Sequence, residues 1–403
     1  MRRVFQRRLP TIKKPVISER QQSAIFSHLE DGGALFGDWV DEGTRSNGYN
    51  SGDVIQNPAY VIEDILRRVL YQTTANIDTD SFDVSGDATG GTIKDWEFMG
   101  ALYKEENSKD VLERLCAQSK SRLFKNASGQ FSLWTYDVNA VITYDSYNFD
   151  QQQYIKNLKI YRTPQSEIAN TVRINYMLDR GSGNYQRQTF IEVNKKYSNT
   201  NTDEDLDTTE TGVNVLAGGG SNFSSGDIIL IENEVMIVNS VSTDTLNVSR
   251  GSYSSSPATH VTNMPIYILT TNSDDGTGTQ DQNTTTPNNR ESTAIQSVWR
   301  YGKVGEFSLD CDFIIDDTTA QELREHYFDY LKAPKWIVEF DTFLNVSDMV
   351  VNDIISFDST ILDSYIKLGG ASWSGEKFVV LNIDRTGQTD YHIVAEHLTY
   401  DFV

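Results

Sequence analysis

Hydrophobic residues recur at helical spacing in one early segment of the chain. In NPAYVIEDILRRVL (57–70), Val61, Ile62, Ile65, Leu66 and Val69 fall on one face of a helix. Asn57 suits the N-cap, and Pro58 suits the first helical position, where a missing N–H costs nothing. Glu63 and Asp64 come early and Arg67 and Arg68 late, the charge order that a helix dipole favours. A second helix is expected over 109–125, KDVLERLCAQSKSRLFK, with Val111, Leu112, Leu115, Cys116 and Leu123 inward. The period then shifts to two. NASGQ (126–130) reads as a turn, and QFSLWTYD (130–137) as a strand alternating Phe131, Leu133 and Thr135. NTVRINYML (170–178) alternates Val172, Ile174 and Tyr176, and QTFIEVN (188–194) can pair with it as a hairpin across DRGSGNY.

Two polar stretches, 197–212 and 270–292, lack any apolar period and read as linkers. Between them, strands near 227–231, 234–241 and 244–250 and a further strand within 255–269 form a small β module inserted at 213–269. Long polar flanks predict that this module is dispensable for folding of the remainder. From 293 to 403 the pattern gives a β-barrel-like domain with one helix. In GEFSLDCDFI (305–314), Phe307, Leu309, Cys311 and Phe313 alternate inward against Glu306, Asp310 and Asp312. The stretch 316–332 is a helix capped by Asp317 or Thr318, and Pro334 stops it. Strands follow at 336–344, 351–358, 377–385 and 391–402. Residues 1–50 show little periodicity and read as an extended arm with room for a short helix near 19–29. Residues 51–195 form a helix-containing domain that leads into strands. The fold class is therefore mainly β with a few helices: barrel-like domains plus an inserted β module.

Composition narrows the function. A chain of 403 residues has room for two or three domains, and 20 Tyr with 18 Phe suit β-rich architecture. Cys116 and Cys311 sit at apolar-periodic positions and read as buried free thiols. No apolar run approaches the ~18 residues that span a bilayer, and the basic N-terminus lacks the apolar core of a secretory signal. Assembly in a reducing cytoplasm, without stable membrane insertion, is the expectation. The net charge of −22 is uneven: residues 1–20 carry +6, which leaves −28 on the remainder. A phosphate backbone is repelled by such a body, so sequence-specific nucleic-acid binding is not expected. The same repulsion suits either a solubilising surface or a conduit that DNA traverses without sticking. The basic arm reads as a disordered extension or as a segment that docks onto an acidic neighbour.

The phrase NPA–aliphatic–acidic–LLR, met here as Asn57, Pro58, Ala59 and the residues after them, resembles the helix of bacteriophage tail hub proteins. Five later segments occur in that family's order: YGKVGEFSLDCDFI, AQELREHYFDYLKAP, KWIVEF, VNDIISFD and FVVLNIDR. The likeness covers roughly 50–195 and 293–403, while 226–269 resembles a small module found repeatedly in phage tail and baseplate proteins. Family members commonly place a complete barrel before the NPA helix, and the first 56 residues here are too few and too polar for one. The resemblance implies a structural component of the virion at the tail tip or baseplate. It would be a homotrimeric ring that joins the tube to spike or fibre, contacts distal tail and tape-measure proteins, and passes the genome during host cell entry. Within that picture Asp310, Asp312, Asp316 and Asp317, the densest acidic cluster of the ring-forming part, are candidates to line the lumen.

Enzymatic signatures are missing. There is no GxxxxGK[ST] loop, HExxH, CxxC or GxSxG. No catalytic, cofactor-binding or metal residues are therefore assigned, and no cofactor is expected. His28, His260, His326, His392 and His397 are scattered, and on a strand His392 and His397 point to opposite faces. Arg250 and His260 read as structural, tying down loop carbonyls. Asp203, Asp205 and Asp207 open like a calcium loop but lack its glycine and terminal glutamate. Two rival readings remain. One is a host receptor-binding tail-tip protein. The other is a glycan hydrolase that uses a carboxylate pair among Asp310, Asp312, Asp316, Asp317, Glu322 and Glu396.

Overall fold

The computed structural model describes residues 54–86, 92–99, 106–135, 147–149, 154–274, 280–282, 289–302, 304–343, 346, 348–358, 361–362, 373, 375–385 and 390–398; the expected arm at 1–50 lies outside them. The fold is mainly β with a few helices. Helix α1 (Pro58–Asp64) is buried along Val61 and Ile62 and continues into a π turn over Ile65–Val69, where the Leu70 N–H reaches the Ile65 carbonyl. The pairs Glu63–Arg67 and Asp64–Arg68 staple this α-to-π join at i,i+4 spacing. Helix α2 (Thr79–Gly86) packs against α1.

The second expected helix is shorter than its pattern. Helix α3 (Ser108–Gln118) ends where the Ser119 hydroxyl turns back to the Leu115 carbonyl at 2.9 Å and Lys120 adopts φ +46°. Residues 121–125, expected as helix, form strand β1 (Ser121–Lys125), antiparallel to β2 (Phe131–Thr135) with Leu123 opposite Leu133. Between them Asn126 accepts from the backbone N–H groups of Ser128 and Gln130, and Gly129 supplies φ +76° for the turn.

Strands β3 (Tyr147–Phe149), β4 (Ile155–Arg162), β5 (Thr171–Asp179) and β6 (Asn184–Asn201) follow. The β5–β6 hairpin has the expected pairing, with Val172 opposite Ile191, and Val172, Ile174 and Tyr176 are fully buried. Strand β6 does not stop at 194. Residues 197–201, read as linker, continue the strand by pairing with β11; their buried positions carry Ser198, Thr200 and, just beyond, Thr202 rather than aliphatic residues. Further on come β7 (Gly212–Asn214), β8 (Ile228–Ile231), β9 (Glu234–Ser242), β10 (Thr245–Ser252), β11 (Pro265–Asp274) and β12 (Gln280–Gln282). Then come helix α4 (Asn289–Tyr301), strand β13 (Glu306–Asp310) and helix α5 (Asp317–Leu331). The last strands are β14 (Trp336–Thr342), β15 (Ile354–Phe357), β16 (Lys377–Arg385) and β17 (Tyr391–His397).

Among the described residues, nine strands share one sheet. Its order is β13-β5-β6-β11-β8-β9-β10-β7, with β12 beside β11. Strand β11 pairs with β6 from Tyr267↔Tyr197 to Asp274↔Phe190 and with β8 on its other side, so the insertion grows out of the main sheet as a continuous ladder. The run IILI of β8 is buried at every position. Ile228 and Leu230 face the main core together with Val235 and Leu269, whereas Ile229 and Ile231 face a second core with Met236, Val238, Leu246 and Ile266. The insertion thus has a core of its own and shares a sheet with the body, instead of hanging on polar tethers.

A second sheet, with six strands among the described residues in the order β3-β15-β16-β17-β14-β4, holds the third core. Its two edge strands are adjacent in sequence, and the sheet curls until Phe149 of β3 meets Phe340 of β14 at 5.0 Å and Phe357 at 5.5 Å. Trp373, Phe378 and Val380 help to fill the interior. Residues 147–149 and 155–162, placed by the sequence in the first domain, supply the two edge strands of this half-barrel. Conversely, α4, α5 and the connection from β13 to α5, placed in the last domain, bury Ile295, Leu323, Phe328 and Phe313 in the first core.

Candidate functional site

The NPA corner is built around a buried amide. The Asn57 side-chain oxygen accepts from the Ala59 N–H at 3.0 Å, while its Nδ2 donates to the carbonyls of Ile93 at 2.7 Å and Lys94 at 3.2 Å. Pro58 and Ala59 are buried beneath α2. At Gly86 an added Cβ would stand 2.8 Å from the Asn57 Oδ1 and 3.1 Å from the Ala59 Cβ, so this close crossing requires a small residue on each helix. All three motif residues therefore act in packing and capping within the chain.

The four aspartates proposed for a lumen lie close together, and each has a partner within the chain. Asp310, exposed on β13, accepts from the Asn175 amide at 2.7 Å. Asp312 accepts from the Tyr185 hydroxyl at 2.5 Å and pairs with Arg114 at 3.4 Å. Asp316 caps α5 by accepting from the Thr319 N–H at 2.7 Å. Asp317 accepts from the Tyr176 hydroxyl at 2.7 Å and is gripped by Arg187. Burial, followed by these carboxylates, pushes the hydroxyls of Tyr176 and Tyr185 far above the ordinary tyrosine range, so both remain donors. Asp312 and Asp317 thus latch the β5–β6 hairpin to the entry of α5, while Asp310 ties β13 to β5 and Asp316 caps the helix.

A denser cluster lies in the insertion. Glu234, fully buried at the start of β9, accepts from Arg250 Nε and Nη2, each at 2.7 Å. The same carboxylate accepts from the backbone N–H groups of Gly251 and Ala258, at 3.0 and 2.9 Å. Burial alone would raise its pKa; these donors and His260 outweigh it and hold the group at about 2. Arg250 also donates to the carbonyls of Asp207, Glu210 and Ala258, the loop-fastening role expected of it. His260 is almost fully buried, with Nε2 2.9 Å from Glu234 and Nδ1 2.8 Å from Glu232. Burial works to lower its pKa, and the two carboxylates overcome this and raise it. The sequence reading named Arg250 and His260 but left Glu232 between two strands and Glu234 as the first residue of one. The available signal was an acid and an arginine at strand ends and a histidine in the connection that follows, all within one short module.

No protein-family model matches this chain, and no curated protein sequence matches it. The chemistry therefore has to be read from the geometry. Among the described residues no three His, Cys, Asp or Glu side chains are placed to hold a metal ion, and no helix is long and apolar enough to cross a membrane. Asp203, Asp205 and Asp207 do not converge; Asp205 accepts from the Thr262 N–H and Asp207 from those of Thr209 and Glu210. The remaining carboxylates considered for hydrolysis are engaged as well. Glu322 accepts from the Trp96 indole at 2.6 Å, and Glu396 from the Tyr330 hydroxyl at 3.3 Å, with Lys335 nearby.

His392 and His397 do point to opposite faces of β17. His392 contacts Asp341 at 2.7 Å on the outside, and His397 packs against Trp373 and Phe378 inside. His326 is buried in α5, where desolvation and then Lys120, Lys335 and Arg122 hold its pKa well below the usual imidazole value. Cys116 and Cys311 are buried free thiols, and burial pushes Cys116 up to about 12.

Proposed function

We propose that this protein is a structural tail hub of a bacteriophage, an oligomeric adaptor at the distal end of the tail. The observation that carries this reading is the order of its parts. A buried NPA corner opens the body, and a strand, a helix and a filled barrel close it. The interior of that barrel holds aromatic side chains, which suits a rigid adaptor better than a ligand carrier. A homotrimer beneath a sixfold tube is the assembly that the resemblance to tail hubs implies, with tube, spike or fibre and tape-measure proteins as partners.

Light scattering of the purified chain mixed with its tail-tube protein tests the proposal. A complex with three copies of this chain is expected. A stable monomer in that mixture would sink the hub reading.

A host-recognition role for the insertion is the second reading. It is favoured where the insertion joins the body: Tyr267 of β11 lies beside the exposed Tyr197 of β6, with Lys195 over the Tyr267 ring at 4.3 Å. Binding of the purified protein to host envelope fractions, lost in Tyr197→Ala, would support it.

A further inference from the structure

The contacts of His260 contain more than a fastening. A neutral imidazole has one N–H, yet both ring nitrogens here lie within 3 Å of carboxylate oxygens. In the neutral form one of them would point a lone pair at a carboxylate. Both contacts are favourable together only in the doubly protonated ring. The backbone around it is committed too: His260 and Leu206 exchange N–H···O bonds of 3.0 and 2.7 Å, which tie the 203–211 segment to the loop before β11.

The two carboxylates differ in what they would lose. Glu234 keeps four further donors, from Arg250, Gly251 and Ala258, if His260 turns away. Glu232 sits half in solvent on the β8–β9 turn at φ +51°, a conformation that is costly for a residue with a side chain. We propose that His260 is a proton-dependent clasp. As an imidazolium it holds the β8–β9 turn against the segment leading into β11, and loss of its proton releases Glu232 while the Glu234–Arg250 pair stays closed. The charged groups around it are Glu232 on the turn, Glu234 on β9 and Arg250 on β10, reached through Glu234. Asp205, Asp207 and Glu210 lie on the segment packed alongside. Asp205 and Asp207 are occupied by backbone N–H groups, and Glu210 gives its carbonyl to Arg250.

Long-range proton–nitrogen NMR of the full chain, labelled at histidine, tests this. Near pH 6 His260 should show two protonated nitrogens, and its titration midpoint should lie above the ordinary value of about 6.5. In E232Q the midpoint should fall, because one of the two facing charges is gone. A single protonated nitrogen at pH 6 in the unaltered protein would overturn the proposal, and so would a midpoint unmoved in E232Q. The first measurement needs no variant, and Glu232 is exposed enough for its replacement to leave the buried Glu234–Arg250 pair in place.

Discussion

At the scale of single residues, polar side chains set the geometry of this protein. Asn57 uses its oxygen as a cap and its nitrogen as a crosslink, so Asn57→Asp separates the two roles. The cap acceptor survives, while the donor to Ile93 and Lys94 is replaced by a carboxylate facing their carbonyls. A loss of about 2–3 kcal/mol is expected by chemical denaturation, larger than the usual cost of a missing cap. Glu234→Gln leaves Arg250 buried without its counter-charge and should cost about 3–5 kcal/mol.

The pH dependence has opposite signs at the two ends of this cluster. Glu234, held at about 2 against an ordinary 4.5, contributes stability that is complete above pH 4.5 and lost as pH falls towards 2. His260 is shifted upward, so its contribution is complete below the ordinary imidazole value and lost as pH rises through its folded-state pKa. Thermal melts across pH should therefore show the insertion weakening at both extremes, with the acid limb absent in Glu234→Gln.

At the scale of elements, the comparison between pattern and structure turns on what each pattern encodes. The α1 stripe and the β5–β6 alternation were legible because aliphatic residues occupy their buried positions. The end of α3 was missed because Leu123 falls on the helical stripe as well as on the strand, and the decision lay with the Ser119 hydroxyl and the positive φ of Lys120. The far half of β6 was missed because its inward positions carry hydroxyls. That choice leaves a mark, since the buried Thr200 hydroxyl has no hydrogen-bond partner among the described residues. Thr200→Val keeps the shape and removes the unsatisfied group, so it should raise the melting temperature, by an amount equivalent to about 1 kcal/mol. The Arg250–Glu234–His260 cluster was half legible: periodicity locates strand ends but does not say which of them meet.

At the scale of the whole molecule, the insertion can no longer be treated as a removable appendage. Excising 213–269 takes away Ile228, Leu230, Val235 and Leu269 from the main core and unpairs β6 from β11 along part of the ladder. We expect the shortened protein to aggregate or to melt without a cooperative transition, the opposite of what its polar flanks predict. A soluble, cooperatively melting product would show that the shared sheet contributes little. The acidic quartet calls for similar care. Charge reversal at Asp312 or Asp317 breaks pairs with Arg114 or Arg187 and so reports on the latch before it reports on any conduit. Exposed Glu306 on β13 is the cleaner position for testing whether, in the proposed hub, acid content influences genome passage.

The order in which the barrel strands are made has a consequence for synthesis. About 170 residues separate β4 from its partner β14, so a ribosome adding roughly 5–20 residues per second needs on the order of 10–35 s between them. Throughout that interval β3 and β4 exist without the strands that will cover them. An unpaired strand invites pairing with another nascent chain, and lysines along an edge discourage it. Strand β4 carries Lys156 and Lys159 on exposed positions, which places the deterrent on one of the two strands left waiting for their hydrogen bonds. Translation products halted before residue 336 should depend on chaperones for solubility, and replacing both lysines with threonine should deepen that dependence while changing the finished protein little.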